Sequence, residues 1–297
     1  MRQIQKIRNE MPYLFLLVPA LVLFCMFVVY PALTTIVYSF TNWSDALMQG
    51  YRFTGLRNYT RLFNDPTTLV GIRVSFTYAV FATLLQSALG LALALALNTA
   101  VKGRSVFRAI WYFPAVLSSL IIGYLFNFIL STSDLGLFNQ IITRMGYARV
   151  NFLGDPVHAL ISIIAVSGWQ YAGWTMTIYL ANLQSIPGEL YESAGIDGAS
   201  RWRQFKSVTV PMLFPAVSFL FITGMINGLK VFDIIHSLTS GGPNGQTESI
   251  VSMMMRRGFA QGFFAYACAM GSVFLVMVLI ITAIQMRFFN KWGENIT

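Results

Sequence analysis

Charged side chains are scarce in this sequence: only 10% of its 297 residues are Asp, Glu, Lys or Arg, whereas 56% are hydrophobic. A soluble domain carries roughly 25% charged residues, so most of the surface of this protein does not face water. The scarcity excludes a soluble enzyme, a disordered tail and a nucleic-acid-binding module. The net charge of +9 is therefore interpreted as a sign of membrane topology and not as a phosphate-binding face.

Residues that hold metals or nucleotides are also few. Cys25 and Cys268 both lie in apolar runs, and only two histidines are present, so no disulfide or metal-binding pattern exists. A Gly-Lys dipeptide does not occur, which excludes a phosphate-binding P-loop. We therefore expect no catalytic residue, metal or cofactor in this chain, and any energy from ATP must come through another chain.

Six long runs without a charged residue predict six transmembrane helices. Each run exceeds the roughly 20 residues that a helix needs to cross about 30 Å of hydrocarbon. The predicted helices lie at about 13–40, 74–99, 108–131, 157–182, 211–235 and 263–288. The first run is too long for a cleavable signal peptide and lacks a small-residue cleavage site. The sequence thus predicts an all-α polytopic membrane protein with one transmembrane domain over residues 1–297.

The distribution of basic residues predicts the orientation. Lys102, Arg104 and Arg108 crowd one short connection, and basic residues in short loops mark the cytoplasmic side. This places both termini in the cytoplasm. The segments Thr41–Arg73, Thr132–Asp155 and His236–Arg257 are then external, and the long loop Gln184–Val210 is cytoplasmic.

The cytoplasmic loop 184–210 has an unusual composition. Pro187 and Gly188 can begin a helix, Asp197-Gly198 should break it, and Ala199–Lys206 should be helical again. One interpretation is an amphipathic helix that rests on lipid headgroups. The other is a protein-docking surface, which is favoured by a cluster of small residues: Ser193, Ala194, Gly195, Gly198 and Ala199.

The same loop resembles the signature of ABC importer permeases, which reads Glu-Ala-Ala, three residues, Gly, nine residues, an aliphatic residue, one residue and Leu-Pro. Here the matching residues are Glu192-Ser193-Ala194, Gly198, Val208 and Val210-Pro211, at the same spacing. The flanking segments Leu183–Pro187, Leu238–Pro243 and Phe53–Tyr59 look like the carbohydrate-importing branch, on the side of the maltose-type first permease subunit.

The resemblance implies a type I ABC importer permease fold in a prokaryotic cell membrane. It implies that the loop is a coupling helix that docks into a cytoplasmic ATPase, with Glu192 paired to a basic residue of that ATPase. The residues assigned to this contact are Glu192, Ser193, Ala194, Asp197, Gly198, Ala199 and Trp202. The implied partners are a second homologous permease, two copies of an ATPase that binds ATP and Mg²⁺, and an extracytoplasmic sugar-binding protein.

A candidate substrate path lies on the fourth and fifth predicted helices. A sugar presents apolar ring faces and a rim of hydroxyls, so its site needs aromatic, amide and hydroxyl groups. By the resemblance, sugar contacts fall on Ser167, Gln170, Tyr171, Trp174, Asn227, Gly228 and Val231. The alternative for the aromatic residues is ordinary packing.

Two ionisable residues accompany the candidate path. Lys230 and Asp233 lie three residues apart, so a continuous helix would place them on one face. Ionisable side chains at membrane depth are functional candidates. The alternative is a structural ion pair that extends towards the headgroups.

The sequence therefore predicts one membrane-spanning subunit of an ATP-driven, binding-protein-dependent sugar importer, with a di- or oligosaccharide as substrate. Glycerol phosphate or a polyol is the alternative substrate. An ion-coupled secondary transporter would need repeated halves and broken helices, and a membrane enzyme would need a titratable cluster at membrane depth. The sequence shows none of these features.

Overall fold

The computed structural model describes residues 17–44, 50–99 and 102–294. Over these ranges the chain is mainly helical, and the one β interaction is an isolated antiparallel bridge between Thr41 and Phe53. The helices are α1 Leu17–Ser39, α2 Arg57–Asn64, α3 Pro66–Leu97, α4 Arg104–Val116, α5 Ser119–Ile129, α6 Leu137–Arg144, α7 Pro156–Gln184, α8 Gly188–Ile196, α9 Arg201–Met212, α10 Phe214–Leu229, α11 Asp233–Leu238, α12 Ile250–Met255 and α13 Phe264–Glu294.

The helices belong to two compact units. The smaller unit contains the described part of Met1–Asp65 together with Met254–Leu275, and the larger contains Pro66–Met253 and the described part of Val276–Thr297. In the larger unit, α3, α4, α5, α7, α10 and α11 pack on one another.

Among the described residues, three helices are long and apolar enough to cross a membrane: Leu17–Ser39, Pro66–Leu97 and Phe264–Gly293. The number rises to five if each of two bent pairs, α4 with α5 and α9 with α10, is one span. Helix α7 has 29 residues but is not among these, because polar and ring groups of Ser167–Trp174 occupy its middle. Six spans and cytoplasmic termini therefore stay predictions.

Two helix boundaries differ from those predicted because charged residues were used as limits. Helix α3 begins at Pro66 and not near residue 74, and Arg73 is an exposed residue within it. Helix α13 continues to Glu294, beyond the predicted end at 288. The start of the first helix, at 13–16, lies outside the described residues.

The helix predicted at 108–131 is interrupted in the structure. Helices α4 and α5 meet at a bend of 95°. Pro114 removes a backbone donor from the last turn of α4, Leu117 is extended, and the side chain of Ser118 accepts a bond from the amide of Leu120 to begin α5.

A buried amide stabilises this bend. The Nε2 of Gln170, on α7, donates to the carbonyl oxygen of Leu117 at 3.1 Å. Gln170 is fully buried. Its amide takes the place of the backbone N–H that would donate to the Leu117 carbonyl in a continuous helix.

The helix predicted at 211–235 is interrupted as well. Helix α9 approaches α10 at a bend of 57°, α10 ends at Leu229, and α11 begins at Asp233. In the interruption, the hydroxyl of Ser249 donates to the carbonyl oxygen of Val231 at 2.7 Å, and Ser249 is fully buried. The Ser249 hydroxyl therefore takes the place of the backbone donor that Val231 would have in a continuous helix.

Small residues allow close approach of the helix backbones. On α7, Gly173 contacts the backbone of Trp111 so closely that a Cβ atom would overlap the Trp111 carbonyl. On α10, a Cβ at Gly228 would lie 2.6 Å from the Cα of Ala79 on α3. Such contacts are the usual means of helix association in membranes, where apolar side chains gain nothing from leaving lipid.

The carboxylate of Asp155 caps the N-terminus of α7. The side chain of Asp155 accepts bonds from the amides of Val157 and His158, each at 3.0 Å. The bond from the His158 amide holds the pKa of the Asp155 carboxyl below its ordinary value. The stability that this cap contributes is therefore present above the ordinary carboxyl pKa and is lost as the pH falls through the lowered one.

We predict that Gly173→Ala lowers stability by roughly 1–3 kcal/mol, because the added methyl group must displace the α4 backbone. The measurement is the thermal denaturation midpoint of the purified protein. Gly188→Ala is the matched control, since a Cβ at Gly188 meets no atom within 4 Å. Equal midpoints for the two variants would contradict close packing of α4 on α7.

We predict that Gln170→Leu lowers the free energy of unfolding by about 1–3 kcal/mol, because the buried carbonyl of Leu117 loses its donor. Gln184→Leu, at the exposed end of the same helix, serves as the control and should leave the denaturation midpoint unchanged. If Gln170→Leu behaves like this control, the bond does not stabilise the bend.

Candidate functional site

A cavity of about 460 Å³ lies in the larger unit, where the two interrupted helices meet α3 and α7. Its lining comes from α3, α4, α5, α7, α10, the segment between α10 and α11, and the beginning of α11. The lining residues are Tyr78, Ala82, Thr83, Gln86, Ala115, Ser119, Ser167, Tyr171, Trp174, Gly224, Asn227, Gly228, Val231, Phe232, Asp233 and Ile234.

Most of the predicted substrate-path residues come together in this cavity. They are Ser167, Tyr171, Trp174, Asn227, Gly228, Val231 and Asp233. Gln170 does not line it, because its amide points to Leu117, and Lys230 is exposed outside the lining. The contact of any of these residues with a substrate stays a prediction.

The expected helical arrangement of Lys230 and Asp233 is not observed. The chain leaves the helix after Leu229, so the two residues do not share a helix face. Neither residue forms an ion pair with a described residue. Asp233 is the single charged side chain among the described residues that line the cavity.

Hydrogen bonds fix the orientation of the polar groups around the cavity. The Tyr78 hydroxyl donates to the Ser167 Oγ at 2.8 Å, and the hydroxyls of Tyr171 and Ser119 are 2.9 Å apart. Tyr78 and Ser167 are buried. The cavity therefore offers aromatic faces and preorganised hydroxyl groups beside amide and carboxylate groups, a combination that suits a polyhydroxylated solute.

The sequence analysis did not identify the contribution of α3. Tyr78, Thr83 and Gln86 all line the cavity from this helix. A signal did exist: Thr83 and Gln86 lie three residues apart in a long apolar run and so share one helix face.

The predicted helix–break–helix form of loop 184–210 is confirmed. Helix α8 ends at Ile196, Gly198 has a φ of +74°, and α9 follows. Glycine adopts this left-handed conformation without the strain that a side chain would add. The second helix begins at Arg201 and not at Ala199, because the Ser200 side chain accepts a bond from the Arg203 amide and caps it.

The residues assigned to ATPase coupling are largely accessible. Glu192, Ser193, Asp197, Gly198 and Trp202 are exposed, and Ala194 and Ala199 are half-buried. Ile196 is 88% exposed and Trp202 is 72% exposed. Apolar side chains that protrude beside a carboxylate are typical of an interaction surface, but their contact with an ATPase stays a prediction.

Within the described ranges, no three His, Cys, Asp or Glu side chains come close enough together to hold a metal ion.

Comparison with known proteins gives the family. Residues 86–291 match the family described as "Binding-protein-dependent transport system inner membrane component". The chain is 36% identical to the probable ABC transporter permease protein YurN of Bacillus subtilis over 96% of this chain and 97% of that protein. It is 34% identical to the trehalose/maltose transport system permease protein MalF of Thermococcus litoralis over 94% of this chain and 93% of that protein.

A solved structure agrees with these relatives. The fold matches a chain in the crystal structure of a bacterial ABC transporter involved in the import of the acidic polysaccharide alginate, with a TM-score of 0.83 and 26% identity over 98% of this chain and 99% of that one. The interrupted helices and the extended α8–α9 loop thus occur in a type I ABC importer permease fold. The chain belongs to the family of binding-protein-dependent transport system inner membrane components, and it is a multi-pass permease of the ABC transporter type.

Proposed function

We propose that this chain forms half of the membrane path of an ATP-driven importer for a neutral saccharide, a di- or oligosaccharide. The observation that carries the proposal is the cavity in the larger unit, where aromatic rings and hydroxyl and amide groups converge between interrupted helices. The name of the 34%-identical trehalose/maltose permease supports a saccharide.

The geometry of the cavity supports a second subunit. Asn227 and Asp233 line the cavity and yet are exposed in the single chain. A homologous permease would cover them and complete the path. With both termini in the cytoplasm, an extracytoplasmic binding protein would deliver the solute from the opposite side.

Energy would enter through the α8–α9 loop. Its exposed carboxylate and apolar side chains would dock on a separate ATPase, two copies of which would bind ATP and Mg²⁺ for the complex. The left-handed conformation at Gly198 sets the angle between the two short helices, so that the loop can act as a rigid lever.

Asp233 favours a neutral substrate over glycerol phosphate. Its carboxylate can accept hydrogen bonds from sugar hydroxyls, but it would repel a phosphate, and like charges brought together at a binding surface cost several kcal/mol. A polyol without a phosphate group stays compatible with the same cavity.

We predict that Trp174→Ala lowers saccharide uptake about tenfold at limiting substrate, because an aromatic contact is worth about 1.5 kcal/mol. The measurement is uptake of labelled trehalose and maltose by the complete complex with its binding protein in liposomes. Trp169→Ala is the matched control on the same helix: Trp169 packs against Phe126, with ring centroids 5.4 Å apart, and does not line the cavity. Wild-type uptake by Trp174→Ala would remove this residue from the path.

We predict that Glu192→Ala weakens co-purification of the ATPase and abolishes substrate-stimulated ATP hydrolysis, because a basic residue of the ATPase would be left unpaired at the interface. Glu189→Ala, which removes an exposed carboxylate on the same helix, should retain ATPase co-purification and stimulated hydrolysis.

Gly198→Leu should uncouple hydrolysis from uptake, since it strains a left-handed position. Full stimulated hydrolysis in Glu192→Ala and Gly198→Leu would show that the loop does not couple the two proteins.

A further inference from the structure

A second cavity, of about 370 Å³, lies in the smaller unit. It is bounded by the segment after α1, by α2 and by the beginning of α13. Its chemistry comes from Trp43, Arg57, Arg61, Phe263 and Tyr266. None of these residues belongs to the proposed sugar path, and the two cavities lie in different units.

The walls of this cavity are held in place by hydrogen bonds. The Asn58 amide donates to the carbonyl oxygens of Ser39 at 2.8 Å and of Thr41 at 2.7 Å, which ties α2 to the end of α1. The amide of Ala265 donates to the carbonyl of Trp43 at 2.9 Å, and this bond ties the segment after α1 to α13. These bonds join the three segments that form the walls of the cavity.

The charge of the cavity is positive. Arg57 and Arg61 form no ion pair with a described residue, and none of the described residues that line the cavity is acidic. The Arg61 guanidinium lies 4.6 Å from the centre of the Tyr266 ring and 5.5 Å from that of Phe263. Stacking holds this guanidinium over the rings but leaves its hydrogen-bond donors available to an anion.

The surroundings indicate the source of that anion. Phe53, Leu56 and Phe63, which belong to the same segment of the chain as the arginines, are 78%, 63% and 57% exposed. Trp43 packs against Tyr38 and Phe264, with ring centroids 4.7 Å and 4.9 Å apart. Tryptophan and tyrosine gather at headgroup depth in membrane proteins, and an amphipathic helix with arginines lies in the same layer.

We propose that this cavity binds the phosphate of a phospholipid headgroup through Arg57 and Arg61, while the acyl chains cover the exposed apolar side chains of Phe53, Leu56 and Phe63. Arginine suits this role because its planar donors bind phosphate oxygens in pairs. The bound lipid would fasten α2 to the beginning of α13 at the predicted external surface of the membrane.

The test is native mass spectrometry of the complete complex, purified in mild detergent with added phosphatidylglycerol. The wild type should retain one phospholipid more than the Arg57→Gln/Arg61→Gln double variant. Arg52→Gln is the matched control, because Arg52 is exposed in the same segment but does not line the cavity. Equal lipid retention by the wild type and the double variant would overturn the proposal.

Two further measurements complete the experiment, one with a headgroup that lacks acyl chains and one with a variant that keeps the charge. Glycerophosphoglycerol, the headgroup without acyl chains, should not be retained by the wild type; its retention in place of the lipid would overturn the lipid assignment in favour of a free phosphate ester. If the double variant does not assemble, Arg61→Lys keeps the charge but loses paired donation. Reduced lipid retention by this variant supports the site, and wild-type retention contradicts it.

Discussion

Buried side chains that bond to freed backbone carbonyls make the architecture of the larger unit possible. In an apolar solvent an unpaired carbonyl costs several kcal/mol, so a helix can be interrupted only where the protein supplies a substitute donor. Gln170 does so for Leu117, and Ser249 does so for Val231. The two interruptions turn the chain at the points where it lines the cavity, which would not exist between straight helices.

The donors are themselves positioned by close packing around α7. Gly173 brings α7 against the backbone of α4, which places Gln170, one turn earlier, within reach of the bend. The hydroxyl pair of Tyr78 and Ser167 orients α3 and α7 across the same cavity. The packing of the helices, the hydrogen bonds to the freed backbone carbonyls and the shape of the cavity therefore depend on one another. A change in any of them should alter the other two.

The sequence predicted the helical class, the general positions of the apolar helices and the broken form of the α8–α9 loop. Charge-free runs are a local property, and Asp197-Gly198 is a local turn signal. The interruptions were missed because a run of apolar residues has the same composition whether its helix is straight or bent, although Pro114 and Ser118 were available as signals. The spacing of Thr83 and Gln86 marks a polar face on α3, but the helices that this face meets depend on contacts between segments distant in the sequence.

Broken helices are expected of secondary transporters, and the sequence predicted none in this chain, yet α4–α5 and α10–α11 are broken. Interrupted helices therefore do not separate the two classes of transporter. The family match and the exposed α8–α9 loop favour a permease that depends on an ATPase in another chain.

The most direct test of this account is to purify the tagged chain from its native membranes in mild detergent, identify its partners by mass spectrometry and measure uptake after reconstitution in liposomes. We predict that a homologous permease and an ATPase co-purify with the chain and that saccharide uptake requires ATP and the binding protein. Recovery of this chain alone, with saccharide uptake in the absence of ATP, would contradict the account and indicate a self-sufficient transporter.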